Sequence, residues 1–302
     1  MKKLLLICSF FIVHSFNAQT TLFEDSFETY NDFIITNIGD WITIDVDGLG
    51  TYSGGGGVPF DNQFDPKAFM VFNPVAAEVT NENSGTEVRN FDPRTGNKYM
   101  GCWAANGSAN NDWLVSPAIT LGTSGNEVKF YVKSMSNSYG LERYRVGIYI
   151  GSGTPTGGSD FTIISAGAYL TAPYPNWQEV TYDLDAYVGQ TIRVGIHCVS
   201  DDAYFFMVDD FSVTTAEMST DDFFASNLSI YPNPANDFFN LSSTTSIIEN
   251  VKVTDLNGRV VKSIAANGVS DVQVNISDLT TGIYFVTVNT DNGTGSTKLV
   301  KK

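Results

Sequence analysis

Glu127-Val-Lys-Phe-Tyr-Val132, Tyr144-Arg-Val-Gly-Ile-Tyr-Ile150, Gln178-Glu-Val-Thr-Tyr-Asp-Leu184 and Thr191-Ile-Arg-Val-Gly-Ile-His-Cys-Val199 alternate apolar and polar residues with a period of two. Each run is bounded by Gly, Asn, Ser or Pro clusters, which is the punctuation of half-buried strands. No segment holds a 3.6-residue apolar stripe over three turns. The reading is all-β. An antiparallel sheet must cover its apolar face with a second layer, so a jelly-roll β-sandwich is expected.

The same period returns in Asn250-Val-Lys-Val-Thr254, Arg259-Val-Val-Lys-Ser-Ile264, Val272-Gln-Val-Asn-Ile276 and Ile283-Tyr-Phe-Val-Thr-Val288. A second, small immunoglobulin-like β-sandwich is expected there. Asn257-Gly258 reads as a two-residue hairpin turn, both of whose positions need positive φ. Between the two blocks, Thr214 to Asn227 has no clean periodicity and is rich in small polar residues. The domains are therefore placed at 19–214 and 228–302, with a linker at 215–227. A charge step agrees with this division. Residues 20–227 carry nine Lys/Arg and twenty-seven Asp/Glu, whereas residues 228–302 carry six of each.

The whole chain of 302 residues has a formal charge of −16. That excess argues against nucleic-acid partners and against a basic membrane-surface patch, both of which need clustered Lys and Arg. A hydrophobic fraction of 42 % is enough to bury a core, so general disorder is excluded as well.

Met1-Lys2-Lys3 followed by the apolar run Leu4 to Val13 has the pattern of a signal peptide, expected at 1–18 with the mature chain starting near Gln19. An apolar run of about ten residues is too short to span a bilayer, so no transmembrane segment is expected in the mature protein. Cleavage would remove Cys8 and His14, leaving Cys102, Cys198 and His197. Strand alternation then sends His197 and Cys198 to opposite faces, and too few ligands remain for a His/Cys zinc site. Cys102 and Cys198 could form one disulfide after export or stay as two buried thiols.

Four motifs carry a family likeness at the C-terminal end: Tyr231-Pro-Asn-Pro-Ala235, Asn257-Gly-Arg-Val-Val261, Leu279-Thr-Thr-Gly-Ile-Tyr-Phe-Val286 and Lys298-Leu-Val-Lys-Lys302. Together they resemble the type A C-terminal sorting domain of the type IX secretion system. The residues that match are Pro232, Asn233, Pro234, Gly258, Arg259, Gly282, Tyr284 and Lys298. The likeness implies passage through the type IX machinery of a Bacteroidetes-type bacterium. It also implies loss of the tail, then release or attachment to surface lipopolysaccharide. Pro232 and Pro234 keep their segment out of a central ladder, and Gly282 permits a turn before a long strand.

The larger domain resembles the cleaved-adhesin or choice-of-anchor J family, distantly similar to MAM domains. The likeness rests on Phe23-Glu-Asp-Ser-Phe-Glu28, Trp41-Ile-Thr-Ile-Asp-Val-Asp-Gly48, Asn111-Asp-Trp-Leu-Val-Ser-Pro-Ala118, Trp177-Gln-Glu-Val-Thr-Tyr-Asp-Leu184 and Met207-Val-Asp-Asp-Phe-Ser-Val213. It implies adhesion or ligand binding, often supported by calcium, and not catalysis. The chain departs from the family in an insert from Thr51 to Arg94, which carries Gly54 to Gly57 and the Phe60/Phe64/Phe69/Phe72 set.

Parity groups Met207, Asp209, Phe211 and Val213 on one face, and Phe23, Asp25 and Phe27 on another. Each strand thus turns one carboxylate toward the core side, and an unpaired buried carboxylate is costly. Calcium answers that need as a hard cation wanting oxygen ligands, so Asp25, Glu28, Asp209 and Asp210 are the expected ligands. The alternative is that these acids end strands and accept backbone N–H groups. Asp45-Val-Asp-Gly48 resembles part of a calcium loop without its third acid or closing Glu, so Asp45 and Asp47 are either a turn or a second site. With an affinity of about 10⁻⁴–10⁻³ M, millimolar calcium would stabilise the fold by roughly 1 kcal/mol and raise its melting temperature.

Ligand binding by a sandwich commonly uses exposed rings. Trp41, Trp103, Trp113 and Trp177 read mostly as core residues. Loop aromatics are better candidates: Tyr139, Tyr174, Tyr204 and Phe205, each of which could equally cap a sheet edge. The expected function is a secreted or surface adhesin-like protein binding a glycan or a host extracellular protein. Two alternatives stay open. One is a glycosidase or lyase built on paired carboxylates, and the other is an accessory module of a surface complex.

Overall fold

The structure, a computed structural model, describes residues 19–54, 56–216 and 220–302, so the expected leader at 1–18 and Gly55 of the glycine run lie outside the described residues. The chain divides into two compact units, with the boundary after Ala216.

The strands of the first unit are β1 (Gln19–Asp25), β2 (Ile42–Asp45), β3 (Met70–Phe72), β4 (Tyr99–Trp103), β5 (Asp112–Val115), β6 (Ile119–Thr120) and β7 (Glu127–Ser134). They continue with β8 (Arg143–Ile150), β9 (Thr162–Ile163), β10 (Leu170–Thr171), β11 (Gln178–Asp183), β12 (Thr191–Cys198) and β13 (Phe205–Ala216). One antiparallel sheet runs β11-β7-β13-β4-β3 with β1 beside β13. The other runs β10-β8-β12-β5-β2, with β6 beside β12 and β9 beside β8. This is the expected two-sheet sandwich. Its core is built from the alternate residues that the period-two pattern marks, such as Phe130, Val132, Phe206 and Val208 on one sheet and Leu114, Val146, Val194 and Ile196 on the other.

One strand departs from simple parity. Opposite β7, the register of β13 slips between Asp209 and Ser212, and Asp210 has φ +47°. The extra residue is a β-bulge, which reverses the facing of everything beyond it. Val208 and Phe211 therefore both enter the core between the sheets, while Phe205 and Met207 point to the outer face of the sheet. The expected grouping of Met207 with Phe211 fails for this reason.

That outer face is covered by the insert from Thr51 to Arg94. Phe72 and Phe91 pack there against Tyr99, Trp103, Phe205 and Met207, with Phe60 at the margin. Of the remaining insert phenylalanines, Phe69 enters the inter-sheet core and Phe64 stays exposed. The insert thus gives the unit a second apolar layer, so the β3, β4 and neighbouring β13 residues are buried on both faces while β11 keeps an exposed outer face.

The second unit comprises α1 (Thr220–Asn227), β14 (Leu228–Tyr231), β15 (Phe238–Ser243), β16 (Ile248–Thr254), β17 (Val260–Val269), β18 (Asp271–Asn275), β19 (Gly282–Thr290) and β20 (Gly293–Lys301). Two sheets, β14-β15-β18 and β17-β16-β19-β20, enclose Leu241, Val274, Val251, Val253, Val286 and Val288. The expected linker at 215–227 is corrected. Thr215 and Ala216 complete β13, and α1 buries Phe223 and Phe224 in the core of the second unit. Asn257-Gly258 does sit in a hairpin, but only Gly258 is left-handed, at φ +79°. The Gly258 N–H bonds the Asp255 carbonyl, and the Asp255 carboxylate accepts the N–H groups of Asn257 and Arg259, so the loop is longer than two residues.

Candidate binding cleft and acidic centre

The four acids expected to hold calcium do not meet as an oxygen cage. Asp25 accepts the Phe27 N–H through Oδ1 at 2.7 Å, and through Oδ2 the Tyr30 hydroxyl at 2.6 Å and the Trp41 indole N–H at 2.8 Å. Glu28 Oε1 accepts the N–H groups of Asn97 and Lys98 at 2.9 and 2.8 Å. Asp209 Oδ2 accepts the Arg94 N–H at 3.0 Å and Oδ1 that of Asp210 at 2.8 Å. Asp210 pairs with the Arg94 guanidinium and accepts the Thr95 hydroxyl at 2.7 Å. The physical reason for the correction is that each carboxylate already accepts hydrogen bonds from donors of the chain, and the four do not converge on one point. Arg94 and Lys129 also line the open groove shared by Asp25 and Asp210, so the cations beside that groove are the protein's own.

Among the described residues, one group of acids does converge. Asp45, Asp47 and Asp112 each bring a carboxylate oxygen within 4.8 Å of the others. Asp45 on β2 stands directly opposite Asp112 on β5 in the ladder. Asp47 is drawn in because its Oδ2 accepts the Asn111 N–H at 2.8 Å. Asp112 is 1 % exposed. Its Oδ2 accepts the Asn110 amide at 2.8 Å, but its Oδ1 has no partner. Burial, reinforced by the charges of Asp47 and Asp45 and opposed by the Asn110 hydrogen bond, pushes the Asp112 carboxyl up to about 7. Lys67 is the nearby cation, yet its ammonium bonds Thr51 Oγ1 and the carbonyls of Gln63 and Asp65, and none of the three carboxylates. Burial lowers Lys67 to about 8. The donor set is all oxygen, with one orphaned acceptor and two like charges facing each other, and it fits a hard divalent cation. Sequence reasoning reached Asp45 and Asp47 and missed Asp112, although parity in Asn111-Asp-Trp-Leu-Val115 already puts Asp112 on the face of Leu114.

Four separate segments converge in a cleft. Tyr52 and Glu87 come from the insert, Tyr139 from the β7–β8 loop, and Asp202, Ala203 and Tyr204 from the β12–β13 loop; with Ser53 they line a hollow of about 300 Å³. A second hollow of about 250 Å³ lies alongside and shares Tyr52 and Asp202 with the first. The segments are hydrogen-bonded together. The Tyr52 N–H donates to the Ala104 carbonyl at 2.9 Å, and the Ala104 N–H to the Tyr204 carbonyl at 3.0 Å. The Tyr204 N–H donates to the buried Glu142 carboxylate at 2.6 Å, and the Val88 N–H to Ser138 Oγ at 3.0 Å. Gly54 is needed at the wall, because a Cβ there would fall 2.0 Å from the Tyr204 hydroxyl.

Of the expected ligand-binding aromatics, Tyr139 and Tyr204 come together, with ring centroids 5.7 Å apart. Tyr174 is half-buried and does not line the cleft. Phe205 is corrected: it is fully buried and stacks on Trp103 at 4.0 Å, because it starts a strand whose outer face the insert covers. Tyr52, Glu87 and Asp202 were missed, since loop residues carry no period to reveal a shared location. His197 stacks on Trp113 at 4.0 Å and its Nε2 bonds Asn111 Oδ1 at 2.8 Å; burial lowers it to about 4. Cys102 and Cys198 are buried free thiols.

In the second unit the motif residues are structural. The Asn233 side chain bridges to β20, donating to the Lys298 carbonyl at 2.7 Å and accepting the Val300 N–H at 3.0 Å. It replaces the strand pairing that Pro232 and Pro234 cannot supply. Arg259 pairs with Asp255 at 3.1 Å, Gly282 opens β19, and the Tyr284 hydroxyl donates to the Thr280 carbonyl at 2.8 Å. Lys298 is exposed.

Residues 229–302 match the family of secretion system C-terminal sorting domains. The tail is a sorting domain of that family, and the chain is a type IX secretion substrate bound for the cell surface or the extracellular space. No described helix is long and apolar enough to cross a membrane. Among solved structures, the chain is similar to the K2 cleaved adhesin domain of Lys-gingipain at 19 % identity, with 66 % of this chain and 100 % of that chain covered and a TM-score of 0.43. The K3 cleaved adhesin domain of Lys-gingipain from Porphyromonas gingivalis W83 is also 19 % identical, with coverage of 65 % and 99 % and a TM-score of 0.40. A xylan-binding domain from Paenibacillus barcinonensis is 15 % identical, with coverage of 67 % and 99 % and a TM-score of 0.36. No curated protein matches the chain.

Proposed function

We propose that the exported chain is a non-catalytic binding protein of the adhesin type, which holds a glycan or an extracellular protein on its larger unit and is stabilised there by calcium at Asp45, Asp47 and Asp112. The observation that carries the reading is the cleft itself: exposed tyrosines line it on loops that are hydrogen-bonded together. A glycosidase needs a general acid presented to its substrate. The carboxyl groups raised to about 7, Asp112, Glu142 and Asp209, are all closed off from solvent. Calcium would neutralise the Asp45–Asp112 pair and hold the segments that lead into Tyr52 and away from Ala105. Loss of the tail at the outer membrane, followed by release or attachment to surface lipopolysaccharide, belongs to the same proposal.

The test exposes purified residues 19–302, with calcium and with chelator, to panels of polysaccharides and extracellular proteins while binding and product release are both recorded. Saturable binding without turnover, weaker in chelator, is expected. Polysaccharide cleavage, or no binding to any member of either panel, overturns the reading.

A further inference from the structure

Resting on that reading, we infer that the twin cleft around Tyr52, Tyr139 and Tyr204 is a subsite pair for a neutral oligosaccharide of at least two sugar rings. Tyr52 is 46 % and Tyr139 56 % exposed, although the backbone of Tyr52 is tied to Ala104 and the Tyr139 ring rests on Tyr204. Tyr139 and Tyr204, 5.7 Å apart and tilted by 43°, touch each other and leave no gap for a ligand between them. They form one bent platform rather than the facing walls of a cage for an ammonium group. An apolar face of a pyranose can lie on such a platform, and its rim hydroxyls need acceptors.

Those acceptors are present. The Asp202 carboxylate has no partner among the described residues and lies at the junction of the two hollows. Glu87 lines the first hollow. Asp201 lines the second. Arg89 pairs with Glu87 at 4.0 Å, and no ion pair is found for Asp201 or Asp202 among the described residues. Three carboxylates against one guanidinium repel a uronic or sialic acid, so the preferred glycan is uncharged. The two hollows share Tyr52 and Asp202, which sets the minimum length at two rings. The loop backbones are already tied together, so the cleft needs little ordering when a ligand arrives.

The experiment is calorimetric titration of residues 19–302 with neutral and acidic oligosaccharide sets in calcium. It compares the unaltered chain with Tyr52→Ala, Tyr139→Ala and Asp202→Asn, and with Tyr169→Ala as an exposed tyrosine outside the cleft. Asn tolerates the left-handed backbone of Asp202, at φ +51°, so that variant keeps the loop. Neutral oligosaccharides are expected to bind, with at least tenfold loss in each cleft variant, no loss in Tyr169→Ala, and unchanged melting temperatures throughout. Neutral-glycan binding that survives all three cleft variants overturns the inference and leaves the binding function standing on another surface. Binding only of acidic glycans or of a protein does the same. No binding of any class removes both.

Discussion

Asp45 and Asp112 face each other directly across the β2–β5 ladder, two carboxylates in register after the pairs Ile42–Val115, Thr43–Leu114 and Ile44–Trp113. Like charges placed opposite in a ladder are destabilising, and Asp112 is buried with Oδ1 unpartnered. A divalent cation bound there would turn this liability into a clasp. It would join the end of β2 to β5 and fix the segment that runs on to Tyr52, so the proposed cation site and the proposed ligand cleft share one piece of backbone.

The same burial makes stability depend on pH. Asp112, Glu142 and Asp209 are each raised to about 7 by burial, from unfolded values near 4. Between those limits the folded chain holds more protons than the unfolded one, so stability falls as pH rises through the window. His197, lowered to about 4, works in the opposite sense up to its ordinary value of 6.5, but it is one group against three. In chelator, scanning calorimetry should give a higher melting temperature for the first unit near pH 5 than near pH 7.5. Calcium should narrow the difference by displacing the proton on Asp112. A melting temperature that climbs steadily across this range in chelator would contradict the burial of the three acids.

Asp25 provides a separate test of where calcium does not act. Asp25→Ala strips acceptors from Phe27, Tyr30 and Trp41. The expected loss is roughly 2–4 kcal/mol, since hydrogen bonds to a charged group contribute about 1.5–3 kcal/mol each and some donors regain water. The calcium-induced rise in melting temperature should survive. Its disappearance in this variant would return Asp25 to the metal site.

How much of this was legible beforehand depends on whether a feature leaves a periodic trace. The strands around Phe130, Val146, Val180 and Val194 were readable because one face of each is buried, and two-fold alternation records that directly. The bulge at Asp210 was not, because one extra residue changes facing without changing composition. The helix at Thr220–Asn227 is too short to show its period, and its Phe223-Phe224 pair carried no sign of which core it would join. Asp25 was readable as an inward-facing acid, but Asp209 precedes the bulge and lies with Met207 on the outer face, and the donors of both, Trp41 and the Arg94 backbone, come from elsewhere in the chain. Tyr139 and Tyr204 could be singled out as loop aromatics, whereas their meeting with Tyr52 depends on an insert with no repeat.

The sorting domain gives a prediction about export. Asn233→Ala removes the two side-chain hydrogen bonds to β20 and should cost the second unit about 1 kcal/mol, given that these bonds are solvent-exposed. Less of the variant should reach the culture medium or cell surface, with the remainder retained in the periplasm, as read by fractionation. Export equal to that of the unaltered chain would mean that the bridge from Asn233 to β20 has no part in recognition of the tail.

The most direct test of the calcium clasp is a calorimetric titration of calcium into chelator-stripped residues 19–302, alone and as Asp112→Asn. One site is expected with a dissociation constant on the order of 10⁻⁴–10⁻³ M. It should be lost in Asp112→Asn and retained in Asp25→Ala. The absence of calcium binding in the unaltered chain, or binding that Asp112→Asn leaves intact, would contradict the account.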